Sequence, residues 1–146
     1  MNTVIVAAAI LIEDGQVLLT QRKAGGHLAG AWEFPGGKVE LGEDPKEALA
    51  RELQEEVGLV VRVGEIVDVT FHRYDDANKA VLLLFYEVER TVDSPPPQVI
   101  DVAALKWASA GELQPSDFPP ADVAILAKVQ RRLEAASQER VTLELI

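Results

Sequence analysis

The segment from Gly37 to Leu59, GKVELGEDPKEALARELQEEVGL, constrains the fold more than any other stretch, because it specifies a helix with both ends marked and two chemically opposite faces. Asp44 is placed to act as an N-cap. Pro45 suits the first helical position, where a missing N–H leaves nothing unpaired, and Glu47, three residues after the cap, completes the pattern of a capping box. Ala48, Leu49, Leu53 and Val57 recur at helical spacing and can face a core. Gly58 then supplies a residue free to adopt the left-handed conformation that ends a helix.

The other face is acidic. Glu52, Glu55 and Glu56 stand at i, i+3 and i+4, so their carboxylates emerge together on about one turn, with Glu43 just upstream and only Arg51 as a near basic partner. An ordinary solvated helix gains from alternating signs, whereas carboxylates clustered like this repel one another unless a cation joins them. Hard oxygen donors favour Mg²⁺ or Mn²⁺, and Mg²⁺ in particular is held by few carboxylates, with water and phosphate filling the remaining positions.

The pattern Gly37, Glu43, Arg51-Glu52-Leu53-x-Glu55-Glu56-x-Gly58 resembles the signature of the Nudix hydrolases. Further segments resemble the MutT-like branch of that family. Upstream lie Gln21-Arg22, His27 and the run from Trp32 through Glu33, Phe34, Pro35, Gly36 and Gly37 to Lys38. Downstream, Asp117-Phe118-Pro119-Pro120-Ala121-Asp122 is similar to that branch's Phe-Pro-Pro-Ala-Asn. The resemblance spans most of residues 3 to 135. It implies an α/β fold, the Nudix αβα sandwich with a central mixed sheet and two main helices, in one domain over residues 1–146.

It also implies roles. Glu52, Glu55 and Glu56 are expected to bind Mg²⁺, with Mn²⁺ as the alternative, helped by a backbone carbonyl of Gly36 or Gly37. Glu43 is expected to support that shell, and Arg51 to organise the carboxylates through its fork of donors. In MutT-like enzymes a further glutamate lies about six residues before a tryptophan; counting back from Trp107 reaches Asp101, one methylene shorter. Either the backbone comes closer there or one of the helix glutamates, Glu52 and Glu55 among them, takes the catalytic proton. Arg22, His27, Phe34 and Lys38 are expected on the substrate, Phe34 as a stacking surface. Asp122 replaces the asparagine that reads the base in oxidised-guanine enzymes, and Nudix members that cleave cytidine nucleotides have a similar Pro-Ala-Asp segment, which shifts weight toward pyrimidine triphosphates. When ionised, Asp122 only accepts hydrogen bonds, which suits an exocyclic amine of cytosine or the donors of guanine; donating as well would require a raised pKa, and a plain helix-capping role is the alternative.

Composition narrows the partners. Formal charge is −10, from 14 basic and 24 acidic residues, which argues against a nucleic-acid polymer as ligand. A small nucleotide can still be drawn in by a cation and a few arginines. The chain has no cysteine, so neither disulfides nor thiolate metal sites arise. The apolar start lacks a basic leader and runs directly into strand-like Gln16–Thr20, so an opening strand is expected rather than a signal peptide, and no membrane span is long enough. Cytoplasmic residence and a monomer or homodimer follow as defaults.

Strands are expected at about 3–12 and 16–22 around the turn Glu13-Asp14-Gly15. A long hairpin is expected near 60–73 and 80–89 around Asp75–Asn78, and a strand over Val102–Trp107. A second helix is expected from Ala121 to about Ala136, with Ile125, Leu126, Val129 and Leu133 on one face. The tail, residues 138–146, alternates weakly at its end and reads as an added strand, at a dimer interface or not, or as disordered chain. The functional expectation is a Mg²⁺-dependent nucleoside triphosphate pyrophosphohydrolase acting on oxidised nucleotides such as 8-oxo-dGTP. CTP, dCTP or 5-methyl-dCTP, then ADP-ribose or dinucleoside polyphosphates, stand as alternative substrates, with a non-catalytic nucleotide sensor as the alternative class.

Overall fold

A computed structural model describes residues 1–146. The first strand, β1 (Asn2–Glu13), alternates its side chains so cleanly that it organises both halves of the core. Ala7, Ala9 and Leu11 enter one buried cluster, and Ala8 and Ile10 the other. Asp14 and Gly15 take positive φ, 52° and 75°, as a two-residue hairpin turn needs, and lead into β2 (Gln16–Gln21). The long hairpin is formed by β5 (Val61–Tyr74) and β6 (Lys79–Arg90), joined by a single 3₁₀ turn over Asp75–Ala77.

The sheet order is β3 (Trp32–Glu33), β2, β1, β6, β5, with β4 (Gly36–Lys38) paired to β1 and β7 (Ala104–Ala108) to β2. Only β1 and β6 run parallel, so the sheet is mixed. β1 changes partner along its length: Val6–Ala8 pair with β4, whereas Ile12 and Glu13 pair with β2. That fork sets Gly36 and Gly37 against the middle of β1, and a Cβ on Gly36 would overlap the Ala7 carbonyl oxygen, so only glycine fits.

Helix α1 (Pro45–Val57) covers one face through Leu49, Leu53 and Val57, all fully buried, each contributing about 1.5–3 kcal/mol of transfer free energy. Helices α2 (Pro120–Val123) and α3 (Leu126–Glu144), with the turn between them, cover the other through Ala121, Ile125, Leu126, Val129 and Leu133. The result is the expected αβα sandwich. No helix is long and apolar enough to cross a membrane.

Three local expectations need correction. Asp44 caps α1 alone, accepting from the Lys46 N–H at 2.7 Å; Glu47 does not close a capping box. The second helix is two helices, broken by a turn at Ala124 and Ile125 where the Ile125 N–H bonds to the Asp122 carbonyl at 3.3 Å. The break leaves both Asp122 and Ile125 buried. The tail forms no strand, because α3 carries helical hydrogen bonding through to Glu144, with Arg140 reaching the Asp14 carbonyl at 3.2 Å.

Candidate active site

α1 presents its acidic face to β4, and Arg51 organises it. The guanidinium donates to Glu43 through Nε at 2.9 Å and Nη2 at 3.0 Å, to Glu52 through Nη1 at 3.0 Å, and to the Lys38 carbonyl at 3.3 Å. Its Nη1 also lies 3.3 Å from a Glu55 oxygen. These hydrogen bonds, joined by the Glu40 N–H, hold the Glu43 carboxyl down at about 2 and raise the already high Arg51 value. Glu43 therefore works as a bracket for Arg51 rather than as an open ligand.

Glu52 and Glu56 turn toward β4 and the cavity beside it. A Cβ on Gly37 would overlap the Glu52 carboxylate, so the glycine is what lets that carboxylate lie against the β4 backbone. Burial first, then the charges of Glu52, Glu33 and Asp101, push Glu56 up to about 8. Glu55 stays largely exposed and is held toward Arg51. As the side chains stand, no three acidic or imidazole groups converge on one point. Two carboxylates beside close-packed glycine backbone nonetheless fit a hard divalent ion that keeps most of its shell for water and phosphate.

Asp101 reaches this end through the backbone. Its N–H and that of Ile100 donate to the Glu56 carbonyl at 3.0 and 3.2 Å, which docks the loop on the C-terminus of α1. The shorter aspartate is thus brought close by the chain itself. Its carboxylate is exposed and paired with Lys23.

From Glu52 and Glu56 a cavity of about 490 Å³ runs between β4 and the opposite face, past Arg22 and Glu33, to Asp122. Arg22 donates to Glu33 at 2.8 Å and to the His27 carbonyl at 3.1 Å, so one cation fixes both a cavity carboxylate and the loop over it. Burial outweighs Arg22 and raises Glu33. Asp122 is 5% exposed; burial and then the neighbouring Glu33 charge push it up to about 8, against weaker opposition from Arg22 and the Phe34 backbone. Neither α2 nor α3 has a side-chain cap, so Asp122 is not a helix cap. Lys38 and Lys79 line the wall, and burial followed by the charges of Arg22 and Lys38 lowers Lys79.

The NUDIX domain model matches residues 1–129. The chain belongs to that family. A relative named 8-oxo-dGTP diphosphatase, from Escherichia coli (strain K12), is 36% identical over 119 residues, covering 82% of this chain and 89% of the relative. A second from the same organism, named CTP pyrophosphohydrolase, is 38% identical over 126 residues, covering 86% and 90%. The solution structure of the E. coli ORF135 protein superposes with a TM-score of 0.73 at 37% identity, over 93% of this chain and 94% of that one.

Within this NUDIX chain, Phe34 departs most from its expected place. It is 3% exposed and packs its ring on Phe118, stacked at 5.6 Å, and edge-on to Phe85 at 6.0 Å, so it forms cavity floor and core rather than a free stacking platform. His27 lies over the cavity, and its Nε2 is 3.1 Å from Asp76. Glu33, Tyr74 and Lys79 are among the cavity residues that had no role in the sequence reading. Glu33 carried a signal, a lone charge between the aromatic residues Trp32 and Phe34. Tyr74 and Lys79 carried none, because they meet only through the β5–β6 register.

Proposed function

We propose that this NUDIX protein is a Mg²⁺-dependent nucleoside triphosphate pyrophosphohydrolase that releases a nucleoside monophosphate and pyrophosphate, with an oxidised guanine nucleotide such as 8-oxo-dGTP as its substrate. The observation that carries the reading is the continuity of one cavity from the Glu52–Glu56 pair to the buried Asp122. A phosphate chain at the acidic end and a base at the other would span it. The names of the two E. coli relatives support the same substrate class.

A divalent ion bound beside Glu52 and Glu56 would neutralise phosphate charge and make its bound water easier to deprotonate. Glu52 and Glu56 line the cavity whereas Glu55 does not, so Glu52 and Glu56 are assigned to holding that ion, and Glu52 also to accepting the proton of the attacking water. Arg51 fixes the Glu52 carboxylate and, with Glu43, keeps it from swinging away. Glu55 and Asp101 flank the site, where each can take a further ion-bound water. Arg22, Lys38 and Lys79 supply the positive wall that an anionic substrate needs in an acidic protein.

Base choice follows from the Asp122 proton. A carboxyl pushed up to about 8 is neutral at pH 7 and offers one donor and one acceptor, the pair an asparagine amide offers. This supports the oxidised-guanine reading over an ionised acceptor for cytosine. The second reading, a cytidine triphosphate, is kept by the relative named CTP pyrophosphohydrolase. The experiment is pyrophosphate release with Mg²⁺ from 8-oxo-dGTP, dGTP, CTP, dCTP and 5-methyl-dCTP, with ADP-ribose, which can yield only AMP and ribose 5-phosphate, followed by AMP release. A preference of about ten-fold, equivalent to about 1.4 kcal/mol, names the base. No turnover of any triphosphate would overturn the proposal.

A further inference from the structure

Leu28 stands in a backbone conformation that leucine rarely takes. Its φ is 57°, in the left-handed region that crowds Cβ against the following carbonyl oxygen and that glycine or asparagine normally fills. Strain of this kind persists only where the surroundings enforce it, and it gathers at ligand-binding positions. The loop around Leu28 supplies that enforcement. It is closed at its neck, where the Arg22 N–H donates to the Ala31 carbonyl at 2.9 Å and the Gly30 N–H to the Arg22 carbonyl at 3.1 Å. Arg22 Nη1 donates to the His27 carbonyl at 3.1 Å, and the Leu28 carbonyl itself accepts the Ala31 N–H at 3.1 Å.

The Leu28 side chain is turned inward. It is half-buried, it packs against the cluster that holds Phe34, Tyr74, Phe118 and Ala121, and it lines the cavity. Neighbouring His27 meets the Tyr74 ring at 5.0 Å, and the Tyr74 hydroxyl accepts the Ala121 N–H at 3.0 Å, which sets this loop at the Asp122 end. The sheet contributes Val6, Ala8, Val81 and Leu83 to the same cavity, whereas Leu28 is the apolar residue that the loop contributes. Phe34 is committed to its stack on Phe118, so a flat base at this end must find its apolar contact on the loop side elsewhere. We propose that Leu28 is a specificity-determining residue for the nucleoside. Its side chain is the apolar cover laid against the base, and the strained backbone is what aims it into the cavity. The base as ligand rests on the nucleotide reading above, whereas the strain does not.

Three substitutions separate these properties. Leu28→Gly and Leu28→Ala both remove the cover, but only alanine keeps the left-handed strain, so the glycine variant should be the more stable of the two in urea. On the best triphosphate of the panel, both should raise KM about ten-fold while lowering kcat less, and Leu28→Met, which restores apolar volume, should return KM to within about two-fold of wild type. Calorimetric titration should show the same loss for the nucleoside monophosphate product, while inorganic pyrophosphate with Mg²⁺ binds as it does to the wild type. A glycine variant less stable than the alanine one overturns the role given to strain. An unchanged KM in Leu28→Gly, a Leu28→Met as poor as Leu28→Gly, or equal losses for monophosphate and pyrophosphate overturn the cover. Turnover with any of these results leaves the nucleotide reading intact and refutes only this role for Leu28. A panel with no turnover refutes the nucleotide reading and the base as ligand together.

Discussion

Asp122→Asn is the substitution whose consequence is best fixed by the structure. The side chain is 5% exposed and lies near the Glu33 charge, so the folded protein resists ionising it and its pKa rises from an ordinary 3.8 to about 8. The unfolded chain has no such resistance. Between those two values the native state holds a proton that the unfolded state has lost, so stability falls as pH rises from about 4 to about 8 and is level on either side. At pH 7 roughly three pH units separate the solution from the unfolded value, each worth about 1.4 kcal/mol, giving a cost on the order of 4 kcal/mol. Asparagine has the same shape and no proton to lose.

Asp122→Asn is therefore expected to match the wild type near pH 3.5 and to be more stable at pH 8, with several kcal/mol as the upper bound. Urea denaturation of both proteins at a series of pH values, taken as a difference, isolates this residue together with its coupling to Glu33. An equal pH slope for the two proteins would refute the argument that burial keeps Asp122 neutral. In kinetics the same proton has a second signature. Wild-type KM for an oxidised guanine nucleotide should climb above about pH 8 as the donor is lost, whereas that of Asp122→Asn should not.

Glu56→Gln replaces a carboxyl whose ionisation burial and neighbouring carboxylates oppose; it is expected to keep or raise the Tm while abolishing Mg²⁺-dependent turnover, with calorimetric Mg²⁺ titration as the check on the binding loss. Gly37→Ala forces the Glu52 carboxylate off the β4 backbone, and a displacement of about 1 Å there should cost about 100-fold in kcat with circular dichroism unchanged. Arg51→Lys keeps the charge but not the fork that spans Glu43 and Glu52, and is expected to lower kcat/KM by about 10–100-fold, read by the same pyrophosphate assay. Gly58→Ala places a side chain at φ 71° against Ile100 and should lower stability by about 1–2 kcal/mol in urea titration with kcat little changed.

The parts of the molecule legible in the sequence are those fixed by near neighbours. The α1 boundaries, the turn at Asp14-Gly15 and the β5–β6 hairpin each follow from residues within a few positions, and they stand within one or two residues of expectation. What was illegible depends on contacts between distant segments. The break between α2 and α3 accompanies the burial of Asp122 near the charges of Glu33 and Arg22, which come from a distant segment, and periodicity in 121–136 cannot register that. Phe34 looked free to stack because its neighbours Phe85 and Phe118 come from other parts of the chain. The tail's weak alternation was too short to tell a strand from the end of a helix, and continuity with Leu126–Leu133 decided it.

The same division accounts for how a self-repelling face can exist at all. Leu49, Leu53 and Val57 anchor α1 to the sheet with several kcal/mol of burial, so the helix can tolerate carboxylates that oppose one another on its other side. Arg51 relieves only part of that opposition, and it is committed to Glu43 by two hydrogen bonds. Glu56 is left carrying the remainder as a raised pKa. The apolar stripe of this helix and its acidic stripe are thus one design: packing energy supplied on the core side keeps in place carboxylates whose mutual opposition a shared cation would relieve.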